Sequence, residues 1–131
     1  MRVKVHHDID DLANDLATIA ARVRPDMVGV VREGIKVGNV VARDFARVSA
    51  GRHGKWYPKA FTSEMKLFGT LGLIAGDYGP EENRPQGGMD FEWGRGRQSK
   101  PHLDLARSAD IIGPAFIRSV DDAVDDWFWP R

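Results

Sequence analysis

Residues 25–49 read PDMVGVVREGIKVGNVVARDFARVS, and their apolar spacing predicts a long helix that ends near Gly51. Placed about 100° apart on a helical wheel, these residues leave most of the circumference apolar, which indicates a helix buried on more than one side. Glycines at positions 29, 34 and 38 lower the helix propensity and so favour close packing against a neighbour. The remaining side forms a narrow basic stripe of Arg32, Lys36, Arg43 and Arg47.

Upstream of this helix, the pattern predicts a short strand and a separate first helix. Residues 2–5 (RVKV) alternate, as an edge strand does. Asp8 is placed to cap a helix, because apolar residues follow it at i, i+3 and i+4 spacing as far as Val23. Pro25 is expected to end this helix and to begin the next one, since proline has no amide proton to donate.

Downstream, the pattern changes from helical to alternating and back again. Two strands are predicted, Thr62 to Leu67 and Leu71 to Tyr78, and an exposed loop at 79–88 follows them. MDFEWG (89–94) alternates like a strand with one buried face, although a single helical turn is also compatible with it. A final helix is predicted from Ile112 to Phe128.

These elements predict an α+β fold in one domain, residues 1–131, with a small antiparallel sheet, two N-terminal helices and a C-terminal helix. The 19 basic and 19 acidic side chains balance, which weighs against a dedicated nucleic-acid binder. The chain has no cysteine, which excludes disulfides and thiolate chemistry. No apolar run approaches the roughly 20 residues that span a bilayer, and no apolar signal core is visible at the N-terminus.

The charges are balanced overall but separated along the chain. Residues 22–59 hold nine basic and three acidic side chains, whereas residues 110–131 hold two basic and five acidic ones. The final helix should place its apolar residues on one face and Asp121, Asp122, Asp125 and Asp126 on the other. The basic and acidic stripes are either two solvated faces or complementary patches that meet within one copy or between copies. Exposed pairs contribute about 0–1 kcal/mol each, so such contacts would set register more than affinity.

Candidate catalytic, metal and phosphate sites lack the spacing that their chemistry needs. No HExxH or comparable ligand pattern accompanies the four histidines, so no metal site is predicted. GRGR at 94–97 lacks both common phosphate-loop motifs. His102 with Asp104 and Ser108 suggests a small hydrolase only if the fold brings the three together. We predict no catalytic residues and no cofactor.

The aromatic residues fall into three clusters at Trp56-Tyr57, at Phe91 with Trp93, and at 127–129. Interleaved with basic residues, they are suited either to stacking on nucleic-acid bases or to core and interface packing. Trp129 lies at the end of the chain, where a large aromatic side chain favours contact with a partner surface.

Three runs of the sequence carry a family resemblance: AGRHGKWYPKAFTSEM (50–65), DYGPEENRPQGGMDFEWG (77–94) and QSKPHLDLARSADIIGPAFIRSVDDAVDDWF (98–128). The chain resembles the neck proteins of long-tailed bacteriophages, and most closely the tail-completion, or head–tail joining, family. The motif of the family is an aromatic-Glu-aromatic-Gly segment, a flexible loop, and a Pro-His-Leu or Pro-Phe-Leu segment. It corresponds here to Phe91, Glu92, Trp93 and Gly94, followed by Pro101, His102 and Leu103.

The resemblance implies a structural virion protein without catalysis, assembled in the host cytoplasm and located at the neck, where the head joins the tail. Its expected partners are further copies of itself in a ring, commonly of six, a head-closure (stopper) protein, and a tail-tube or terminator protein. Genomic DNA would pass through the lumen without sequence-specific binding, and no membrane is involved. A tail terminator is the nearest alternative, and a nucleic-acid-binding module is the alternative from a different class.

Within such a ring, residues 95–100 are expected to form an arm that reaches a neighbouring subunit. Phe91, Trp93 and Leu103 are expected to seat the segment near the core. Segments 79–88 and 94–100 are predicted to be mobile in the free subunit and fixed in the ring. The predicted interface residues are the basic and acidic stripes together with Arg95, Arg97, Lys100, His102, Trp127 and Trp129.

Overall fold

The computed structural model describes residues 5–68, 73–94 and 100–129. Two long helices pack against each other and against one hairpin, so the α+β class with an antiparallel sheet is confirmed. The elements in chain order are α1 (Val5–Ala50), β1 (Phe61–Phe68), β2 (Leu73–Pro80), the one-turn helix α2 (Asp90–Trp93) and α3 (Asp104–Phe128), with a 3₁₀ turn at Pro58–Ala60.

The N-terminal half of the chain forms a single helix where two were predicted. α1 continues through Pro25, so this proline ends nothing, and Asp8 lies inside the helix instead of capping it. Val5 is already helical, which contradicts the predicted strand at that residue, and residues 2–4 lie outside the described part of the chain. A proline inside a helix costs one backbone hydrogen bond, but no described element packs beside residues 10–21 to hold the chain in a new direction.

The hairpin confirms the two predicted strands with a small shift of their ends. β1 pairs with β2 in antiparallel register, with Phe61 opposite Pro80 and Phe68 opposite Leu73. Two of the α1 glycines mark close approaches, as expected. A Cβ atom on Gly38 would lie 2.5 Å from the Tyr78 ring, and one on Gly34 would lie 2.9 Å from Phe116. A Cβ atom on Gly29 would meet nothing within 4 Å apart from the backbone of its own helix, so the same expectation is wrong there.

The hydrophobic core is small and lies at the C-terminal end of α1. Ala42, Ala46, Tyr57 and Phe61 are fully or almost fully buried, and the Phe91 ring stacks on Tyr57 at 4.4 Å. The expectation that α1 is buried on more than one side is wrong for Val37 and for Val48, which is 85% exposed.

Two segments around the arm differ from their predictions. Residues 90–93 form one helical turn, which was the alternative to the strand. α3 begins at Asp104, eight residues before the predicted start, and runs through Pro114 to Phe128. Its first turn lacks apolar periodicity, and the buried carboxylate of Glu92 stabilises it instead, as described below. Within the described residues, no helix combines the length and the apolarity needed to cross a bilayer.

Candidate functional site

Glu92 is the structural centre of the family motif. Its side chain is 1% exposed, and its two carboxylate oxygens accept hydrogen bonds from the backbone N–H groups of Leu105 at 2.9 Å and Ala106 at 3.0 Å. Leu103, the residue before α3, has a left-handed backbone (φ 55°) and no side-chain capping bond of its own. Glu92 therefore adds a second negative charge, from α2 on the other side of the arm, to that of Asp104 in the first turn of α3 at the positive end of the helix dipole.

Backbone hydrogen bonds join the residues that lie on either side of the arm. The N–H of His102 donates to the carbonyl of Phe91 at 2.9 Å, and the N–H of Leu103 donates to that of Glu92 at 3.4 Å. Gly94 adopts the left-handed region (φ 72°), and a Cβ atom there would lie 2.7 Å from the nitrogen of Pro101. Gly94 and Pro101, which lie on either side of the arm, are therefore next to each other in the fold.

Not every motif residue lies where it was expected. Phe91 packs in the core, but Trp93 is 51% exposed and Leu103 is also exposed, which contradicts their predicted seat near the core. The cause is the helical turn: residues 91 and 93 share a face in a strand, but lie about 200° apart in a helix. Lys100 and Pro101 are exposed at the return of the arm, and Arg95 and Arg97 lie outside the described residues.

Ser49, His102 and Asp104 form a hydrogen-bonded group that connects α1, the arm base and α3. The Ser49 hydroxyl lies 2.9 and 2.8 Å from the two oxygens of Asp104, and Nδ1 of His102 lies 2.9 Å from the Ser49 Oγ. The guanidinium of Arg107 also donates to Asp104, at 2.8 Å. The Asp104 carboxylate therefore accepts hydrogen bonds from Arg107 as well as from Ser49. The hydroxyl proton points at Asp104, so the Nδ1–H of His102 donates to Ser49.

This order of groups is not the order that activates a serine nucleophile. Activation needs an imidazole between the acid and the hydroxyl, so that its nitrogen can accept the hydroxyl proton. Here the hydroxyl lies between the carboxylate and the imidazole, and the imidazole donates. Ser108 is not a member of the group, since it lies 2.8 Å from the Tyr78 hydroxyl and donates to the Leu105 carbonyl. The side chain of His102, predicted at an interface, therefore fastens the arm base within one subunit.

Tyr57 is a buried titratable group close enough to this cluster for the charge of Asp104 to act on it. Its side chain is fully buried, and its hydroxyl has no hydrogen-bond partner among the described residues. Burial, and then the nearby charges of Asp104 and Glu92, raise the pKa of Tyr57 well above its usual value. The phenol therefore keeps its proton in the folded protein at a pH where an unfolded chain loses it.

The free energy of unfolding should consequently fall as the pH rises above about 10, by up to about 1.4 kcal/mol per pH unit from this group. The variant Tyr57→Phe should show a smaller loss, which urea titrations at pH 9 and pH 11 would measure. Asp77 also raises the pKa of the exposed Lys66, which adds a loss of the same sign to both proteins and cancels in their comparison. Equal losses in the two proteins would contradict the assignment.

The four residues of the basic stripe differ in their exposure and in their contacts. Arg32 and Lys36 are exposed on α1, as predicted for interface residues. Arg43 is half-buried, and its guanidinium donates to the carbonyl of Phe61 at 3.2 Å. Arg47 pairs with Asp44 at 3.0 Å across one helical turn. Arg43 therefore holds the hairpin against α1 as well as contributing charge to the surface.

The C-terminal end of α3 combines a fixed aromatic residue with exposed carboxylates. The indole N–H of Trp127 donates to Asp26 of α1 at 2.6 Å, so this side chain, predicted at an interface, is buried within the subunit. Trp129 is 77% exposed and stays an interface candidate. The carboxylates of the acidic stripe are all exposed: Asp121, Asp122, Asp125 and Asp126.

The acidic end of α3 lies far from Arg43 and Arg47 in the same subunit. α3 runs antiparallel to α1, since Trp127 contacts Asp26 while Asp104, at the other end, contacts Ser49. At 1.5 Å per residue, Arg43 and Arg47 lie roughly 26–32 Å along α1 from Asp26. No ion pair joins the two stripes within the described residues. Pairing of these arginines with the acidic stripe therefore requires a second copy.

The residues that the structure describes contain no group of three or more His, Asp or Glu side chains arranged to hold a metal ion.

No protein-family model, curated protein or solved structure matches the chain. The resemblance to phage neck proteins accordingly depends on the motif residues, Phe91 to Gly94 and Pro101 to Leu103.

Proposed function

We propose that the chain is a structural subunit of a tailed-phage neck, a tail-completion protein that assembles as a homo-oligomeric ring around the path of the DNA. The observation that carries this proposal is the projecting N-terminal half of α1. α3 contacts α1 only as far back as the region of Asp26, and upstream of it the apolar stripe remains uncovered. In that stripe, Leu12 is 58% exposed and Leu16 is 50% exposed.

A projecting amphipathic helix needs a partner. An isolated helical segment of this length is marginally stable in water, and most helical stability in proteins comes from packing of the apolar face. Covering Leu12 and Leu16 would each contribute up to about 1.5–3 kcal/mol. A second copy supplies a surface of the same character, and the stripe would then form part of a contact repeated around a ring.

The separation of charge supports a head-to-tail arrangement of the copies. A ring requires two different, complementary patches on each subunit. The acidic stripe of α3 and the exposed Arg32 and Lys36 of α1 are two such patches, and no ion pair joins them within the described residues of one copy. Contacts of this kind fix the register of neighbours more than they add affinity.

The arm base supports the same proposal. The motif residues Phe91 to Gly94 and Pro101 to Leu103, on which the family resemblance depends, converge on one site in the fold. They fix the residues on either side of segment 95–100. In a ring subunit, such a fixed base would present the arm to a neighbour in a constant position.

The test compares the double variant Leu12→Asp with Leu16→Asp against Asn14→Asp with Thr18→Asp. Both pairs add two carboxylates four residues apart on the same part of α1, but only the first pair lies on the apolar stripe. We expect the unmodified chain and the control to form particles of several 14.6 kDa subunits, and the first variant to be a monomer by sedimentation velocity. An unmodified chain that stays monomeric and is missing from virions would contradict the proposal.

Electron microscopy of phage particles made without the protein separates the two neck positions. Loss of a tail-completion subunit should give DNA-filled heads beside unattached tails of normal length. Loss of a tail terminator should instead give tail tubes of uncontrolled length, because a terminator ring stops tube growth. Normal virions in the absence of the protein would contradict both assignments.

A further inference from the structure

A basic cleft of about 420 Å³ lies between the end of α1, the turn that precedes β1 and the loop that follows β2. Its cationic lining comes from three separate parts of the sequence, which only the folded hairpin brings together. The cations are Arg43, Arg47, Lys55, Lys59 and Arg84.

The positive charge of the cleft is only partly compensated. Arg47 pairs with Asp44 at 3.0 Å, and Arg84 pairs with Glu81 at 2.7 Å. Among the described residues, the other three cations of the cleft have no carboxylate within ion-pair distance. Three uncompensated positive charges around one concavity favour an anionic ligand with more than one charge.

The cleft is held in shape by hydrogen bonds that do not involve a ligand. The side-chain oxygen of Gln86 accepts from the backbone N–H groups of Trp56 at 2.8 Å and Tyr57 at 3.1 Å, and its amide nitrogen donates to the His53 carbonyl at 2.8 Å. Arg84 donates to the carbonyl of Lys59 at 3.3 Å. These bonds connect Gln86, in segment 79–88, to residues 53–57 of the turn that precedes β1.

An exposed aromatic ring lies beside the two lysines of the cleft. Trp56 is 44% exposed, and the ammonium groups of Lys59 and Lys55 lie over its ring, at 4.7 and 5.2 Å from the ring centre. A base can therefore stack on this ring where phosphate contacts draw the two ammonium groups aside. A basic groove next to an exposed aromatic ring is the combination that proteins use to hold a nucleic-acid strand, with phosphates on the cations and a base on the ring. A helix bearing carboxylates would neutralise the cations but would make little use of the indole face.

We infer that this cleft binds the phosphate groups of a nucleic-acid backbone, with Trp56 as a stacking surface when the strand is single. Its position along the DNA path of a ring rests on the proposed function, whereas binding by the free subunit does not. The cleft would then mark the side of the subunit that faces the DNA.

Fluorescence anisotropy with a labelled single-stranded oligonucleotide and with the matching duplex tests the inference. For three phosphate contacts, the affinity should fall about 20- to 40-fold between 50 and 200 mM salt. Replacing Lys55 and Lys59 together with glutamine should lower the slope of log affinity against log salt by about two. The control replaces Arg24 and Arg118 with glutamine, which removes the same charge from exposed positions outside the cleft, and should leave the slope unchanged.

A further variant, Trp56→Ala, separates stacking from charge. Single-strand affinity should fall about 5- to 150-fold, while duplex affinity should change little. Thermal unfolding of each variant shows whether the fold is retained, and sedimentation shows whether assembly is retained. A variant of Lys55 and Lys59 that still assembles but has lost the DNA affinity supports the inference independently of the ring.

Three results would overturn the inference. One is the absence of salt-dependent binding by the unmodified chain at 50 mM salt, and another is an equal loss of affinity in the control variant of Arg24 and Arg118. The third is protection of the cleft lysines from chemical modification by a peptide of residues 112–128 but not by an oligonucleotide. That last result would assign the cleft to the acidic stripe of a neighbouring copy.

Discussion

Replacing Glu92 with alanine is expected to lower the free energy of unfolding by about 2–4 kcal/mol. The buried carboxylate accepts two hydrogen bonds from the first turn of α3, and hydrogen bonds to a charged group contribute about 1.5–3 kcal/mol each. Removing it leaves two backbone N–H groups of α3 without their acceptor and also removes the charge that complements the helix dipole. Urea denaturation of the two proteins under the same conditions would measure the difference.

Glu82→Ala is the matched control, because Glu82 is exposed in the loop after β2. We expect it to change the free energy of unfolding by less than about 0.5 kcal/mol. Hydrogen exchange gives a local readout: the amides of Leu105 and Ala106 should exchange faster in Glu92→Ala and at their normal rate in the control. Equal effects of the two substitutions would show that Glu92 does not cap α3.

The second large effect is expected at Gly38, where alanine should lower the free energy of unfolding by about 1–3 kcal/mol. The added Cβ would lie 2.5 Å from the Tyr78 ring, and the hydroxyl of that ring is hydrogen-bonded to Ser108 at 2.8 Å. Moving the ring away would disturb this bond between β2 and α3. The loss should outweigh the gain in helix propensity of roughly 1 kcal/mol that alanine brings.

Gly29→Ala provides a control on the same helix, because it should change the free energy of unfolding in the opposite direction. Nothing outside the helix lies within 4 Å of the position where its Cβ atom would stand. Alanine should therefore raise the free energy of unfolding by about 0.5–1 kcal/mol through propensity alone. Thermal or urea unfolding of the two single variants would test both signs, and a stabilised Gly38→Ala would contradict the packing of Tyr78 on α1.

Some elements could be predicted from the sequence because local pattern and tertiary packing agree. The end of α1 near Gly51 is one example, since Gly51 adopts the left-handed backbone (φ 59°) that helix ends favour. The hairpin and the end of α3 at Phe128 are others. In the second half of α1, Gly34 and Gly38 indicated close contacts, although the sequence could not name Phe116 and Tyr78 as the partners.

Other elements depend on contacts that no local pattern contains. Pro25 has the properties of a helix boundary, but its effect depends on whether a neighbour packs beside the upstream residues. The start of α3 could not be found from its own residues, because the acceptor for its N–H groups comes from Glu92. Trp127 was among the predicted interface residues, but Asp26, 101 residues away, binds its indole.

Some residues of the candidate sites could also be found from the sequence, whereas others are brought together only by the fold. The motif drew attention to His102 and Glu92, but Ser49, which connects His102 to Asp104, carries no signal except its place near the end of a helix. The cations of the cleft come from α1, from the turn before β1 and from the loop after β2, and their sequence separation concealed the cluster. Only Arg43 and Arg47 among them belonged to a recognisable pattern.

The closed base of the arm has a consequence for how the protein can vary. Because residues 91–94 and 101–103 hold each other, the distance between the two ends is set by the body and not by the segment that joins them. Doubling the length of a joining loop costs only about 0.6 kcal/mol in closure entropy. Insertions and deletions between Gly94 and Lys100 should therefore destabilise the fold little, so the same scaffold can carry segments of different length and sequence at this position.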